Sequence, residues 1–256
     1  MDHVPKGLDR KAGAETVYFM GCVGAMYPRV YGVPQSFVQI LDRAGASFTT
    51  LGGGEWCCGF PLQIAGMGQH AVALASHNVE AVRAIGAGRL VTTCPSCYHT
   101  WAHEYPQTLG EPLGFDVIHA SELLSALLDQ DQLPLGPFPR RVTYHDPCDL
   151  GRTSGIYDAP RRILQAIPGI EFTEMADNRE LSLCCGGGGD AEMADADLTA
   201  AVGQRRMEQA QAVEAEFIVT ACQQCKRTLL DAARRNRIRI RTLDIVELLW
   251  ASMQGS

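Results

Sequence analysis

Apolar residues in this chain fall into short runs separated by amphipathic stretches, and the alternation is written twice. The run TVYFM at 16–20 is a β-type segment that stops two residues before Cys22. PQSFVQILDRAG at 34–45 has helical spacing. Phe37, Ile40, Leu41 and Ala44 share one face, Pro34 suits the first helical position and Gly45 can close the helix. HAVALASHNVEAVRAIGAG at 70–88 predicts a second helix with a stripe of Val72, Ala75, Val79 and Val82. RLVTT at 89–93 is a predicted strand running straight into Cys94, and FDVIHA then SELLSALL add a strand and a helix. In the second half RVTYH leads to Cys148, PRRILQAI is helical, EFIVTA runs into Cys222, and IRIRTL with IVELLW closes the chain. Strands alternating with helices predict an α/β fold with a parallel sheet in each half. Binding sites in such sheets gather beyond the carboxyl ends of the strands. Cys22, Cys94, Cys148 and Cys222 all stand at such ends, so thiols distant in sequence can converge.

The cysteines make the repeat plain. Cys22, Cys57, Cys58, Cys94 and Cys97 form one set, and Cys148, Cys184, Cys185, Cys222 and Cys225 the other. Each reads C…CC…CxxC, and equivalent members lie 126 to 128 residues apart. Tyr31 and Pro34 match Tyr157 and Pro160, Val91 and Thr92 match Val219 and Thr220, and Glu122 to Leu124 match Glu247 to Leu249. A period this long marks a duplicated domain rather than a solenoid unit of roughly 20 to 50 residues. The Pro/Gly-rich stretch DQLPLGPFPR at 131–140 is the expected joint, giving domains 1–136 and 137–256.

Composition changes this picture little. With 46% hydrophobic residues among 256, either half can bury a core, and the net charge of −7 argues against nucleic acid or an anionic membrane surface as partner. No window reaches ~18 uninterrupted apolar residues, so no direct membrane insertion is expected. The polar stretch MDHVPKGLDRKAGAE lacks the apolar core of a secretory signal, so a cytoplasmic setting with reduced thiols is expected. Ten cysteines there point to metal or redox chemistry. Thiolates are soft ligands that suit zinc, copper(I) and iron–sulfur clusters. Five per half is one more than zinc or a cubane cluster takes. An adjacent pair can clasp two neighbouring metal atoms, and the glycines beside it let the backbone come close to a bulky inorganic core. Amides of Gly186 to Gly189 can donate to cluster sulfurs.

The pattern resembles the CCG (cysteine–cysteine–glycine) domain family. A lone cysteine is followed by CCG at 57–59 and 184–186 and then by CxxC, with gaps of 34 and 35 residues in the first half and 35 and 36 in the second. The stretches YHDPCDLGRTSGIYDAPRRIL and NRELSLCCGGGGD are also similar to this family. Members with two such domains include the B subunit of heterodisulfide reductase, the equivalent part of its membrane-linked D subunit, and iron–sulfur subunits of lactate, glycolate and glycerol-3-phosphate oxidising systems. The resemblance implies two tandem pseudo-symmetric Rossmann-like domains. It also implies two noncubane [4Fe-4S] clusters held by all ten cysteines, placed where a disulfide is split or formed. No CxxCxxCxxxCP segment is present, so electrons are expected to pass through a ferredoxin-like iron–sulfur partner of the C-subunit type, and from there to or from a flavin-containing subunit. The substrate expected is a disulfide, or a thiol-bound sulfur in the oxidative direction.

Other readings stand beside this one. The second is a plain electron-transfer subunit of a hydroxy-acid or glycerol-3-phosphate oxidising complex. The third is a zinc-stabilised interaction module, with zinc in at least one half. CPSC at 94–97 alone has the form of a dithiol exchanger, but that leaves three cysteines per half without a role. His145 and Asp146 are expected near the second site or as a structural hydrogen-bonded pair, and His99 and His103 as a solvated pair on one helix face. Glu55 and Trp56 can wall the first site or simply pack. GGGGD at 186–190 lacks the context of a phosphate loop. RRNRIRIR at 234–241 is a solvated basic edge or a dock for an acidic partner.

Overall fold

Eight short strands form two separate four-stranded sheets in the computed structural model, which describes residues 7–255. Residues 1–6, on which the expectation about a secretory signal partly rests, lie outside the described residues. The first sheet contains β1 (Thr16–Phe19), β2 (Phe48–Thr50), β3 (Arg89–Thr92) and β4 (Asp116–His119), in the order β2-β1-β3-β4. The second contains β5 (Arg141–His145), β6 (Glu171–Phe172), β7 (Phe217–Thr220) and β8 (Arg241–Asp244), in the order β6-β5-β7-β8. Every pairing is parallel, and Phe19 pairs with Thr92 as His145 pairs with Thr220. The tandem parallel-sheet architecture expected from the sequence is therefore present.

Strand alternation sends side chains to a central core and to one outer core on each sheet. Tyr18, Val91, Tyr144 and Val219 face a central core between the sheets. Four helices fill it: Gly32–Arg43, Ala120–Asp129, Asp158–Ala166 and Ile245–Gln254. Gly32–Arg43 packs on Ile245–Gln254 and Ala120–Asp129 on Asp158–Ala166, so both of these contacts join the two halves. Val17, Phe19 and Leu90 face outward under Gly68–Ile85, while Ile218 lies under Ala196–Ala212 and Gln223–Arg235. The segment between Asp129 and Arg141 is fastened across the molecule. Gly136 N–H donates to the Ser252 carbonyl (3.1 Å) and Ser252 Oγ–H to the Gly136 carbonyl (2.6 Å).

The sequence pattern misplaced several details. The helix assigned to 34–45 begins two residues earlier, so Pro34 is its third residue. Val72 is 41% exposed, and Ala71 takes the buried place in the stripe with Ala75, Val79 and Val82. The last strand lies at Arg241–Asp244, later than the apolar alternation of IRIRTL suggests. β2 and β6 are too short to show alternation. The helix Ala196–Ala212 went unseen because its buried face is Thr199, Gly203, Arg206, Met207 and Ala210, which is small and polar rather than apolar.

Equivalent helices are capped by different titratable groups. His119 and Asp244 each form the cap of a capping box, with Glu122 and Glu247 returning the bond. Burial pushes His119 down to about 3 and Asp244 up to about 8, so both caps are neutral near pH 7. Asp244 Oδ1 accepts from Val246 N–H (3.0 Å), and its buried Oδ2 has no acceptor or donor partner among the described residues, as suits the protonated oxygen.

Two outcomes follow for stability. Leu249→Ala, in the fully buried central core, is expected to lower unfolding free energy by about 2–5 kcal/mol in denaturant titration. A carboxyl whose folded pKa is raised contributes fully below the ordinary carboxylate range and loses that contribution as pH rises through about 8. The wild-type chain should therefore lose more stability between pH 5 and 9 than Asp244→Asn, whose amide imitates the neutral acid. Equal pH slopes would contradict this.

Candidate metal centre

The strand ends hold the thiols in place. Cys22 and Cys148 follow β1 and β5, and Cys94 and Cys222 follow β3 and β7. Cys94 and Cys222 are helix caps, so Cys97 and Cys225 fall in the first turns of Pro95–His99 and Gln223–Arg235. The CCG segments come in from loops. Gly59 and Gly186 have φ of 87° and 90°, a region that a side chain strains. A Cβ on Gly186 would lie 2.8 Å from Val202 Cβ and 3.0 Å from the Thr199 carbonyl oxygen. The same turn brings Gly186 N–H onto Cys184 Sγ (3.3 Å) and Gly59 N–H onto Cys57 Sγ (3.5 Å).

The adjacent thiols in the first half look in different directions. Cys57 Sγ lies 3.9 Å from Cys22 Sγ, while Cys58 Sγ lies 3.5 Å from Cys97 Sγ. In the second half the Sγ atoms of Cys185 and Cys225 and a ring nitrogen of His145 lie within 4.8 Å of one another. Charge divides in a similar way in both, with Cys94 of the first nest also drawn down by its hydrogen bond with Cys97. Hydrogen bonds from neighbouring thiols pull Cys57 and Cys184 down to about 2. Those bonds push Cys22, Cys58, Cys148 and Cys185 up, Cys185 to about 12. Five like charges cannot crowd into one nest without a compensating cation. The donor set thus fits an electron-poor metal centre that neutralises several thiolates at once. Gly21 leaves room for it: a Cβ there would stand 3.0 Å from Cys97 Sγ.

Both nests open into one cavity of about 220 Å³, lined by Cys22, Cys58, Cys94 and Cys97 from one side and Cys148, Cys185, Cys222 and Cys225 from the other. Cys57 and Cys184 do not line it and are half-buried, whereas their neighbours Cys58 and Cys185 are buried. One residue inside each CxxC, Ser96 and Gln223, crosses between the halves, which sequence reasoning missed. Ser96 Oγ bonds the Asp149 carboxylate. Gln223, fully buried, donates from Nε2 to Thr93 Oγ1 (2.5 Å) and to the Met20 carbonyl (3.1 Å), with Gly24 leaving space for it. Gln224 Nε2 donates to the Gly187 carbonyl (2.7 Å) and so anchors the glycine loop. Arg227 lies 4.4 Å over the Tyr27 ring at the cavity wall. Nothing in a one-dimensional motif singles out a residue between two cysteines as a bridge to another sheet.

Other candidates separate cleanly. Glu55 accepts from Met20 N–H (3.0 Å) and Gly21 N–H (2.8 Å), fixing the turn into Cys22, and burial pushes its carboxyl up to about 7. Trp56 stacks on His77 at 3.6 Å. Asp146 is held by both Arg161 nitrogens (2.7 and 2.9 Å) and by Arg179 N–H, away from the thiols. His145 faces them. Burial and Arg206 hold its imidazole well below its ordinary range. The His99 and His103 rings meet at 4.9 Å, but His99 reaches Glu104 (3.3 Å) and neither lines the cysteine cavity. Arg234 and Arg235 line a separate surface cavity with Tyr27, Arg29 and Arg227.

A family model for the CCG cysteine-rich domain matches residues 16–101 and again residues 142–230. The chain belongs to the CCG cysteine-rich domain family. Among curated relatives, the D subunit of dihydromethanophenazine:CoB–CoM heterodisulfide reductase from Methanosarcina mazei is 36% identical over 97% of this chain. The chain spans 61% of that relative's length. The EtfAB:quinone oxidoreductase of Syntrophomonas wolfei is 32% identical over 94% of this chain and 34% of its own length. A hypothetical protein from Helicobacter pylori, solved by crystallography, superposes with a TM-score of 0.66 at 11% identity over 100% of this chain and 53% of its own, which shows a shared fold. No helix among the described residues is long and apolar enough to cross a membrane.

The family's CCG turn carries its own prediction. Gly186→Ala should destabilise the chain by more than about 1 kcal/mol, the order of forcing an L-residue into left-handed backbone. Gly188→Ala, which meets nothing within 4 Å, serves as control and should change the denaturation midpoint little.

Proposed function

We propose that this chain is an iron–sulfur subunit of an oxidoreductase. Cys22, Cys57, Cys58, Cys94 and Cys97 would hold one noncubane [4Fe-4S] cluster, and Cys148, Cys184, Cys185, Cys222 and Cys225 another. The pair would serve reduction of a disulfide or the reverse oxidation of thiol-bound sulfur. The observation that carries this reading is the single cavity walled by thiols of both nests. A substrate with two bonded sulfurs can reach both walls at once, which an electron relay does not require. The 36% identity to part of a heterodisulfide reductase supports it.

Each cluster, when bound, supplies a single electron and soft iron beside a substrate sulfur. The protein's part is positioning. Ser96 and Gln223 fix the distance between the nests, so both ends of a disulfide meet prepared sites. Phe60, Pro61 and Met193 add apolar wall to the cavity, which favours sulfur over polar ligands. The proposed electron route is a ferredoxin-like subunit of the C type, followed by a flavin-containing one. A relative from Chromohalobacter salexigens, 34% identical over 75% of this chain, is named a probable membrane-anchored ferredoxin, which supports a ferredoxin link. A second reading, an electron-transfer subunit without a disulfide site, draws on the likeness to the EtfAB:quinone oxidoreductase.

Anaerobic purification with iron and sulfide analysis tests the reading. About eight iron atoms and eight acid-labile sulfides per chain are expected from two four-iron clusters. Cys58→Ser and Cys185→Ser should each remove about half. The viologen-reduced wild type should cleave an aliphatic disulfide, and either variant should lose that reaction. Iron with no disulfide cleavage would favour the relay, and full zinc without sulfide would sink both.

A further inference from the structure

The two nests are not alike behind their thiols. Phe19 and His145 occupy the same register position, each opposite the last threonine of the neighbouring strand. Asn78 and Arg206 occupy the same place on the outer helices, 128 residues apart, as Val91 and Thr92 stand to Val219 and Thr220. In the first half Asn78 bonds locally to Trp56, the Cys57 carbonyl and Tyr105. In the second half Arg206 is fully buried, and all its partners are neutral acceptors. They are His145 Nδ1 (3.0 Å), the Asp177 carbonyl (2.7 Å), Gln209 Oε1 (2.5 Å) and Ser182 Oγ (3.1 Å). The nearby carboxylates of Asp146 and Asp177 hydrogen-bond elsewhere, to Arg161 and to Gln209, and favour the Arg206 charge only through space. A buried guanidinium without an ion-pair partner among the described residues is costly unless negative charge lies close by.

Arg206 also sets the direction of the histidine. An arginine Nε–H can only donate, so His145 Nδ1 must be the bare nitrogen and the proton sits on Nε2. That Nε2 is buried with no partner among the described residues, and the ring stands against Cys185 and Cys225. We propose that His145, oriented by Arg206, donates its Nε2–H to a sulfur of the second nest, and that with the Arg206 charge behind it this makes the second site the more readily reduced of the two. The proposal rests on the iron–sulfur reading above. A donated N–H and a buried positive charge both favour the state with one more electron. The Phe19 and Asn78 positions offer the first site neither. His145 and Arg206 are therefore positioning residues that rank the sites, and the second site takes the first electron from the donor.

Potentiometric titration of the anaerobically purified full chain, followed by electron paramagnetic resonance, tests this. Cys58→Ser leaves only the second site and Cys185→Ser only the first. The Cys58→Ser chain should be reduced at the more positive potential. Adding His145→Phe should move that potential negative, and His145→Gln, which keeps an N–H, should move it less. In the Cys185→Ser chain His145→Phe should leave the potential unchanged. Equal or reversed order of the single-site potentials, or no response to His145→Phe, overturns the assignment. If His145→Phe takes up no iron, the order of the two single-site potentials decides alone. Full iron with an unmoved potential fails this assignment only, whereas absence of iron and sulfide fails it together with the iron–sulfur reading.

Discussion

Repulsion between crowded thiolates governs this molecule. Each half brings five sulfurs together, and the more acidic thiols, Cys57 and Cys94 in the first nest and Cys184 in the second, hold their charge only because neighbours keep their protons. Everything around the nests serves to hold that arrangement: strand ends that stop at the cysteines, left-handed glycines that turn CCG inward, and a central helical core that fixes one sheet against the other. Such a site is poorly stable as bare protein and well suited to a centre that accepts many soft anions.

Much of this was legible in the sequence, and the reasons differ by feature. The duplication showed in five cysteine pairs 126 to 128 residues apart, and strand ends could be placed because TVYF, LVT, VTYH and FIVT are β-type runs that stop two or three positions before a cysteine. The helix Ala196–Ala212 was hidden because it buries arginine, threonine and glycine, so its face carries little hydrophobic signal. β6 spans two residues, below any periodicity. At the site, the ten thiols could be named. The cross-ties of Ser96 and Gln223 could not, because their meaning lies in the packing of one half on the other.

The repeat conserves a frame and varies its lining. Thr92 and Thr220, the capping boxes and the CCG turns keep their places. Phe19 against His145 and Asn78 against Arg206 do not match, the first pair differing in polarity and the second in charge. The first half meets the same packing need with an apolar ring and a neutral amide, so the imidazole and guanidinium of the second half are what the proposed ranking of the two sites turns on.

The cross-ties also limit what the repeat can be exchanged for. Ser96 needs Asp149, and the residue of the first half in the place of Asp149 is Val23, whose side chain accepts no hydrogen bond. Gln223 needs an amide long enough to reach Met20 and Thr93, and its counterpart is Pro95. A chain assembled from either half twice would lose both ties. The two halves share a blueprint yet have become complementary pieces, each carrying the key that fits only the other.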